Sequence, residues 1–131
     1  MGCVLDFDTR NGILRATLEG LVTDESLLDC YACVTNYFAT HPPCRGILLF
    51  SNTKFEVSSD VVKRLASAAS AFPIGFMRVF VTPTDVVYGM ARMFQMLGEK
   101  TRPDLHIVRT LGEAYQLLQV ESPEFGPVPQ V

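Results

Sequence analysis

The sequence predicts an α/β domain in which a mixed β-sheet, mainly parallel in its interior, packs against helices. Two short apolar segments, RGILLF (45–50) and FMRVFVTP (76–83), have the length and composition of strands buried on both faces. Each is followed by a segment with apolar residues at helical spacing, and an Asn-Gly turn near the start of the chain joins two further strands. The predicted order of elements is ββαβαβαβα, and 131 residues fit one domain.

The first two predicted strands form an antiparallel pair. The segment VLDFD (4–8) alternates apolar and polar residues, which is the period of a half-buried strand. Asn11 and Gly12 follow, and both tolerate the positive φ angles that a tight hairpin turn requires. The chain then returns as a second strand over residues 13–20.

The first predicted helix begins at Thr23 or Asp24, since either side chain can accept a hydrogen bond from a free N–H group of the first turn. Its apolar residues recur at i, i+4, i+7 and i+11 and form one stripe, made of Leu27, Tyr31, Val34 and Phe38. The helix is expected to end at the His-Pro-Pro of residues 41–43, because proline cannot continue it.

The segment between the two buried strands is predicted to contain a loop and a helix. SNTKFEV (51–57) is interpreted as the loop. Residues 58–72 have helical spacing, and Ser58 or Ser59 is in the position to cap them. Pro73 and Gly75 end this second helix.

After the second buried strand, the sequence predicts a third helix, a last strand and a closing helix. Thr84 or Asp85 caps the third helix, and Gly98 stands where a glycine commonly ends one. LHIVRT (105–110) is the predicted strand and LGEAYQLLQ (111–119) the predicted closing helix.

Composition and charge limit the class of protein. Residues 1–120 are assigned to a single domain, and residues 121–131 to a proline-rich tail that is expected to be mobile. A formal net charge of −3 and the lack of a basic run argue against a nucleic-acid partner. No apolar run is long enough to span a bilayer and no secretory signal opens the chain, so we expect a cytoplasmic protein.

Two blocks of the sequence resemble the STAS domains of anti-sigma-factor antagonists, the SpoIIAA-like proteins. ILLFSNTKFEVSSDVVKRL (47–65) aligns without a gap with the family's buried strand, short loop, Asp-Ser-Ser-Gly motif and helix. VFVTPTDVVYGMARMFQML (79–97) resembles a subgroup, also likened to the SEC14-like lipid-binding fold, whose helix carries Tyr/Phe-Gly-x-x-Arg-Met. The resemblance extends over nearly the whole chain and implies the SpoIIAA-like (STAS) fold.

The resemblance implies a phosphorylation site at Ser59, with Ser58 beside it, because a partner kinase modifies the second serine of the motif in the antagonists. Here Val57 replaces the aspartate of the motif and Asp60 replaces the glycine. The carboxylate of Asp60 would repel a phosphate dianion. We favour the alternative that a serine caps the helix at this point, which stabilises a helix by about 1 kcal/mol.

The third predicted helix carries the candidate ligand or partner surface, formed by Tyr88, Gly89, Arg92, Met93 and Phe94. A glycine inside a helix costs about 1 kcal/mol relative to alanine, so Gly89 suggests the close approach of a ligand or a neighbouring helix. Arg92 is either an anchor for an anionic group at the rim of an apolar cleft or a surface arginine whose stem covers apolar neighbours. Because methionines spread around this helix, some apolar surface should remain for a ligand or a dimer partner.

Cys30 and Cys33 form a Cys-x-x-Cys within the first predicted helix. Thiol–disulfide enzymes place the first cysteine at the start of a helix, whereas Cys30 is expected in the second turn. A zinc site would need two more ligands, for which Cys44 and His41 are weak candidates. The pair is therefore interpreted as two small core residues that stay thiols, and no cofactor or metal is predicted.

The sequence offers little for catalysis. No Ser/His/Asp set, glycine-rich phosphate loop or metal-binding spacing can be assembled, and Asp6 and Asp8 are interpreted as the solvated face of an edge strand. We therefore expect a non-catalytic, STAS-like regulatory module that binds a partner protein. The alternative is a binder or carrier of a small apolar or amphipathic anionic ligand, lipid-like, in a cleft by the helix of residues 88–97. A homodimer is compatible with either.

Overall fold

The computed structural model describes residues 3–129 and has an α/β architecture, a mixed sheet of six strands with four helices. The elements are β1 (Val4–Asp8), β2 (Ile13–Thr23), α1 (Asp24–Thr40), β3 (Arg45–Glu56), α2 (Ser59–Ser67), β4 (Arg78–Val81), α3 (Asp85–Leu97), β5 (Leu105–Val108), α4 (Leu111–Leu118) and β6 (Phe125–Gly126). Up to α4 this is the predicted order. Within these residues no helix is both long and apolar enough to cross a membrane.

The strands lie in the order β5-β4-β3-β2-β1-β6. Strands β2 to β5 pair in parallel, and β1 is antiparallel to both of its neighbours, β2 and β6. The prediction of a mixed sheet with a mainly parallel interior is therefore confirmed. The apolar part of β3 lies inside this sheet and is covered on both faces, which explains its unbroken apolar run.

Alternation along β3 divides the core between two faces of the sheet. Leu48 and Phe50 pack with residues of α1 and α3, and α2 lies against α3. Ile47 and Leu49 point to the opposite face, where they pack with α4 through residues such as Leu118. Three helices thus cover one face and a single short helix covers the other. The candidate site lies on the three-helix face.

Each helix begins at a serine or threonine whose hydroxyl oxygen accepts a backbone N–H of the first turn. These N-caps are Thr23, Ser58, Thr84 and Thr110. The predicted alternatives are thereby resolved, since the aspartates beside Thr23 and Thr84 lie in the first turn instead, where their charge suits the helix dipole.

Strand β3 is longer than predicted and helix α2 is shorter. Residues 51–56, expected to form a loop, continue β3 because β2 also extends, and the two strands stay paired beyond an irregularity between Glu19 and Gly20. At this point Gly20 has a φ angle of +71°, a conformation that residues with a side chain rarely adopt. Helix α2 ends at Ser67 because Ala68 is already extended, with ψ of 166°.

The C-terminal segment adds a strand that the expectation of a mobile tail did not anticipate. Phe125–Gly126 forms β6 on the outer edge of β1. The guanidinium of Arg15 lies 4.0 Å from the ring centroid of Phe125, which helps to hold the strand in place. Residues 130 and 131 of the tail, like residues 1 and 2 of the predicted domain, lie outside the described range.

The two carboxylates of β1 are not a solvated pair, so that interpretation was wrong. Asp6 forms an ion pair with Arg15 at 2.7 Å. Asp8 is buried and accepts hydrogen bonds from the backbone N–H groups of Arg10 and Asn11, each at 3.0 Å. Burial by itself raises the pKa of Asp8, but these bonds and one from the Asn11 side chain outweigh it and lower that pKa. Asp8 therefore organises the hairpin turn.

Candidate functional site

An apolar cavity of about 100 Å³ lies between the sheet and helices α1, α2 and α3. The aromatic rings of Phe50, Phe72, Phe80 and Phe94 form much of its wall, and Met90 adds a flexible side chain. For scale, an engineered cavity of about 150 Å³ with an aliphatic and aromatic lining binds benzene. The cavity is thus large enough for part of a small organic molecule, and its lining favours an apolar one.

Arg78 supplies the main polar group of the cavity wall. It is the first residue of β4, and only 2% of its surface is exposed. Its Nη1 donates to the carbonyl oxygen of Phe72 at 3.1 Å and to the hydroxyl of Ser70. The Nε and Nη2 atoms are buried and have no hydrogen-bond partner within residues 3–129. Because a guanidinium carries five N–H donors, part of this cation is left unsatisfied.

Arg102 also reaches the cavity and is 4% exposed, but both of its Nη atoms donate hydrogen bonds. Its Nη1 donates to the carbonyl oxygen of Ala66 at 2.8 Å, and its Nη2 donates to those of Leu65 at 2.9 Å and Ala68 at 3.0 Å. The end of an α-helix leaves such carbonyl groups without partners, so Arg102 terminates α2. The guanidinium also lies 4.6 Å from the ring centroid of Phe94.

The two guanidinium groups make this region electropositive. Burial lowers the pKa of Arg78, and the charge of Arg102 lowers it further, while Asp104 opposes this. Burial also lowers the pKa of Arg102. Asp104 does not pair with Arg78 but accepts a hydrogen bond from the backbone N–H of Gly75 at 2.9 Å. No carboxylate of the described chain forms an ion pair with either arginine. One region of an otherwise apolar cavity wall therefore carries positive charge that no ion pair neutralises.

Of the predicted surface on α3, only Phe94 lines the cavity, where its ring stacks on Phe80 with centroids 5.8 Å apart. Arg92 is exposed and donates to the side-chain oxygen of Gln95 at 3.0 Å, so it is not at the mouth of this cavity. The ring centroid of Tyr88 lies 5.0 Å from the guanidinium of Arg109. Gly89 and Met93 likewise lie outside the lining.

Ser58 and Ser59 have different positions at the start of α2, since Ser58 is the N-cap and Ser59 is the first helical residue. The hydroxyl oxygen of Ser58 accepts the N–H of Val61 at 3.3 Å, and the hydroxyl donates to Asp24 at 3.0 Å. Ser58 is thus the cap that we favoured, and it also joins α2 to the start of α1. Ser59 is the first residue of α2 and is exposed, so its phosphorylation stays a prediction.

Of the four cysteines, Cys30 lines the cavity. Cys30 is buried in the core, as predicted. Hydrogen bonding to the thiols of Cys30 and Cys33 lowers the pKa of Cys3 to about 7 against the effect of burial, and interaction with Cys3 raises the pKa of Cys30. The ring of His41 stacks on Tyr37 with centroids 4.0 Å apart. Across residues 3–129, no group of His, Cys, Asp or Glu side chains is arranged to hold a metal ion.

Sequence reasoning missed both buried arginines. A signal existed for Arg78, because it interrupts the apolar strand FMRVFVTP, and a charged residue in a strand covered on both faces must have a polar partner or a function. No comparable signal marks Arg102, which lies in the polar connection GEKTRPD between α3 and β5.

Comparison with known proteins adds no identity to this geometry. No protein-family model matches the chain, and neither a curated protein nor a solved structure matches it. The fold and the site together define an α/β protein with an apolar cavity that has two buried arginines in its wall.

Proposed function

We propose that this protein is a non-catalytic binding module that takes a small, largely apolar molecule into the cavity between the sheet and helices α1 to α3. The observation that carries the proposal is the cavity itself, with its aromatic and aliphatic lining. The lining residues include no histidine and no carboxylate, the usual groups for general acid–base catalysis. The one serine among them, Ser70, donates its hydroxyl to the carbonyl oxygen of Phe72. These features favour binding over turnover.

The proposal includes a STAS-like class and a cytoplasmic location. The order ββαβαβαβα and the serine cap at the start of α2 are compatible with that class and support it. In such a module, a bound ligand would act on a partner through α2 and α3, which contact each other and both line the cavity.

Filling the cavity should abolish binding of a small neutral probe. Ala91 lines the cavity and is nearly buried, so Ala91→Leu places an isobutyl group in the space that toluene would occupy. We expect toluene to shift backbone amide signals around the cavity in the wild-type protein, and its affinity to fall by about tenfold or more in Ala91→Leu. The measurement is an NMR titration.

The matched control is Ala32→Leu, which adds the same group at an exposed position of α1. This variant should bind toluene like the wild type. Equal toluene binding by Ala91→Leu and the wild type, or no toluene binding by the wild type, would contradict the proposed function.

A second candidate function, binding of a partner protein or a second copy of the chain, rests on the outer face of α3. Val86, Gly89, Met93 and Leu97 recur there at i, i+3, i+7 and i+11, and Val86 and Leu97 are 60% and 54% exposed. A Cβ at Gly89 would meet nothing within 4 Å. The glycine therefore serves no contact within the described chain, and an approaching helix would supply a reason for it.

Gly89→Ala should therefore have opposite effects on the stability of the fold and on association through this face. Because a Cβ has room there, we expect the substitution to raise the free energy of unfolding by about 0.5–1 kcal/mol in urea denaturation. If the face binds a second copy, light scattering should detect a dimer in the wild type that is weakened in Gly89→Ala. If the wild type is a monomer at high concentration, the homodimer hypothesis is wrong. If the wild type and Gly89→Ala bind a partner protein equally well, this face is not the interface.

A further inference from the structure

We infer that the cavity contains a carboxylate subsite formed by the free edge of Arg78, and that the ligand is a small amphipathic monocarboxylate. The inference rests on the proposed function, because it names the class of molecule that the cavity binds. Three observations lead to it: the unsatisfied donors of Arg78, the lack of a carboxylate partner, and the apolar character of the remaining wall.

The geometry of Arg78 leaves one edge of its guanidinium buried and without a hydrogen-bond partner. Nη1 is held by the carbonyl oxygen of Phe72 and the hydroxyl of Ser70, which orient the group from the other side. The remaining buried nitrogens, Nε and Nη2, are adjacent on the guanidinium. Two parallel N–H groups at this edge match the two oxygens of a carboxylate, which is the bidentate arrangement that arginine favours.

Electrostatics select a ligand with negative charge. A buried cation without a partner is costly, and the neighbouring Arg102 increases the cost because it carries the same charge. Both Nη atoms of Arg102 already donate to the end of α2, so Arg78 is the group that an incoming anion would satisfy. A carboxylate bound there would form the ion pair that the described chain does not supply.

The rest of the wall limits the charge and size of the ligand. Apart from Arg78, Arg102 and Ser70 the cavity is almost wholly apolar, so a phosphate dianion would lack donors for its remaining oxygens. A volume of about 100 Å³ accommodates a head group and a few carbon atoms. Such a carboxylate is either a small free acid or the head group of a fatty acid whose chain leaves the cavity.

The test compares benzoate with benzamide, a neutral molecule of nearly the same shape. We expect the wild-type protein to bind benzoate about tenfold or more tightly than benzamide, and benzoate to shift the Nε–Hε signal of Arg78 in NMR spectra. Arg78→Met should abolish this preference and still bind toluene. Arg78 has no ion-pair partner, and the carbonyl oxygen of Phe72 still accepts the hydroxyl of Ser70 at 2.7 Å in its absence, so the variant should fold. Arg92→Met, an exposed control, should keep the preference.

The outcomes separate this inference from the proposed function. Equal binding of benzoate and benzamide by the wild type, with toluene still bound and no Arg78-dependent binding of octanoate, would overturn the carboxylate subsite and leave the binding module standing. Absence of binding by toluene, benzoate, benzamide and octanoate alike would overturn both. The Nε–Hε signal of the wild type decides the matter even if Arg78→Met fails to fold. Octanoate distinguishes the sources, since Arg78-dependent binding of octanoate without benzoate identifies a fatty-acid head group, and the reverse identifies a small acid.

Discussion

Arg102→Met is expected to lower the free energy of unfolding by about 3 kcal/mol, one of the two largest effects that we predict for a single substitution. The side chain is buried and donates to three carbonyl groups at the end of α2. Methionine fills a similar volume but offers no donor, and each buried acceptor left without a partner costs about 1–3 kcal/mol. The carbonyl oxygen of Leu65 keeps the N–H of Ala68 at 3.3 Å as a donor, so the total lies near the lower end of the sum.

Urea denaturation of Arg102→Met and of Arg92→Met measures this effect. Arg92 is exposed on α3 and bonds only to Gln95, so its replacement should change the free energy of unfolding by less than about 0.5 kcal/mol. Each variant removes one arginine charge, so the comparison shows how much more stability is lost when the arginine is buried than when it is exposed. A loss of stability of similar size in both variants would show that Arg102 does not act through the end of α2.

Gly46→Ala is expected to lower the free energy of unfolding by about 2 kcal/mol, because this glycine lies directly beneath the ring of Phe72. A Cβ added at Gly46 would lie 2.5 Å from Cδ1 of that ring and closer still to Cε1. Overpacking of a buried site typically costs about 1–3 kcal/mol. Phe72 lines the cavity and its carbonyl oxygen orients Arg78, so a displaced ring should also weaken toluene binding.

The control for Gly46→Ala is the same substitution at Gly89, where we expect the opposite sign. Both glycines lie inside regular elements, but a Cβ at Gly89 has open space. Thermal or urea denaturation that gave both variants a gain in stability would show that the Phe72 ring can move aside at no cost. The cavity wall would then be more adaptable than the structure indicates.

Local signals in the sequence predicted most elements because local physics decides them. The alternation in β1, the Asn11-Gly12 turn and the hydroxyl caps of the helices depend on interactions between residues close in the chain. The misjudged elements depend on distant partners. Residues 51–56 became strand because β2 extends beside them, and β6 exists because β1 offered a free edge.

The sequence by itself determined the α/β class, the order of the elements to α4 and the core role of Cys30, because periodicity and capping are encoded over a few residues. Only the tertiary structure decided which arginine faces the cavity. Arg92 carried the motif yet lies outside, whereas Arg78 is buried because β4 is covered on both faces. The partners of a guanidinium come from separate elements, so whether its donors are satisfied depends on packing that no local pattern records.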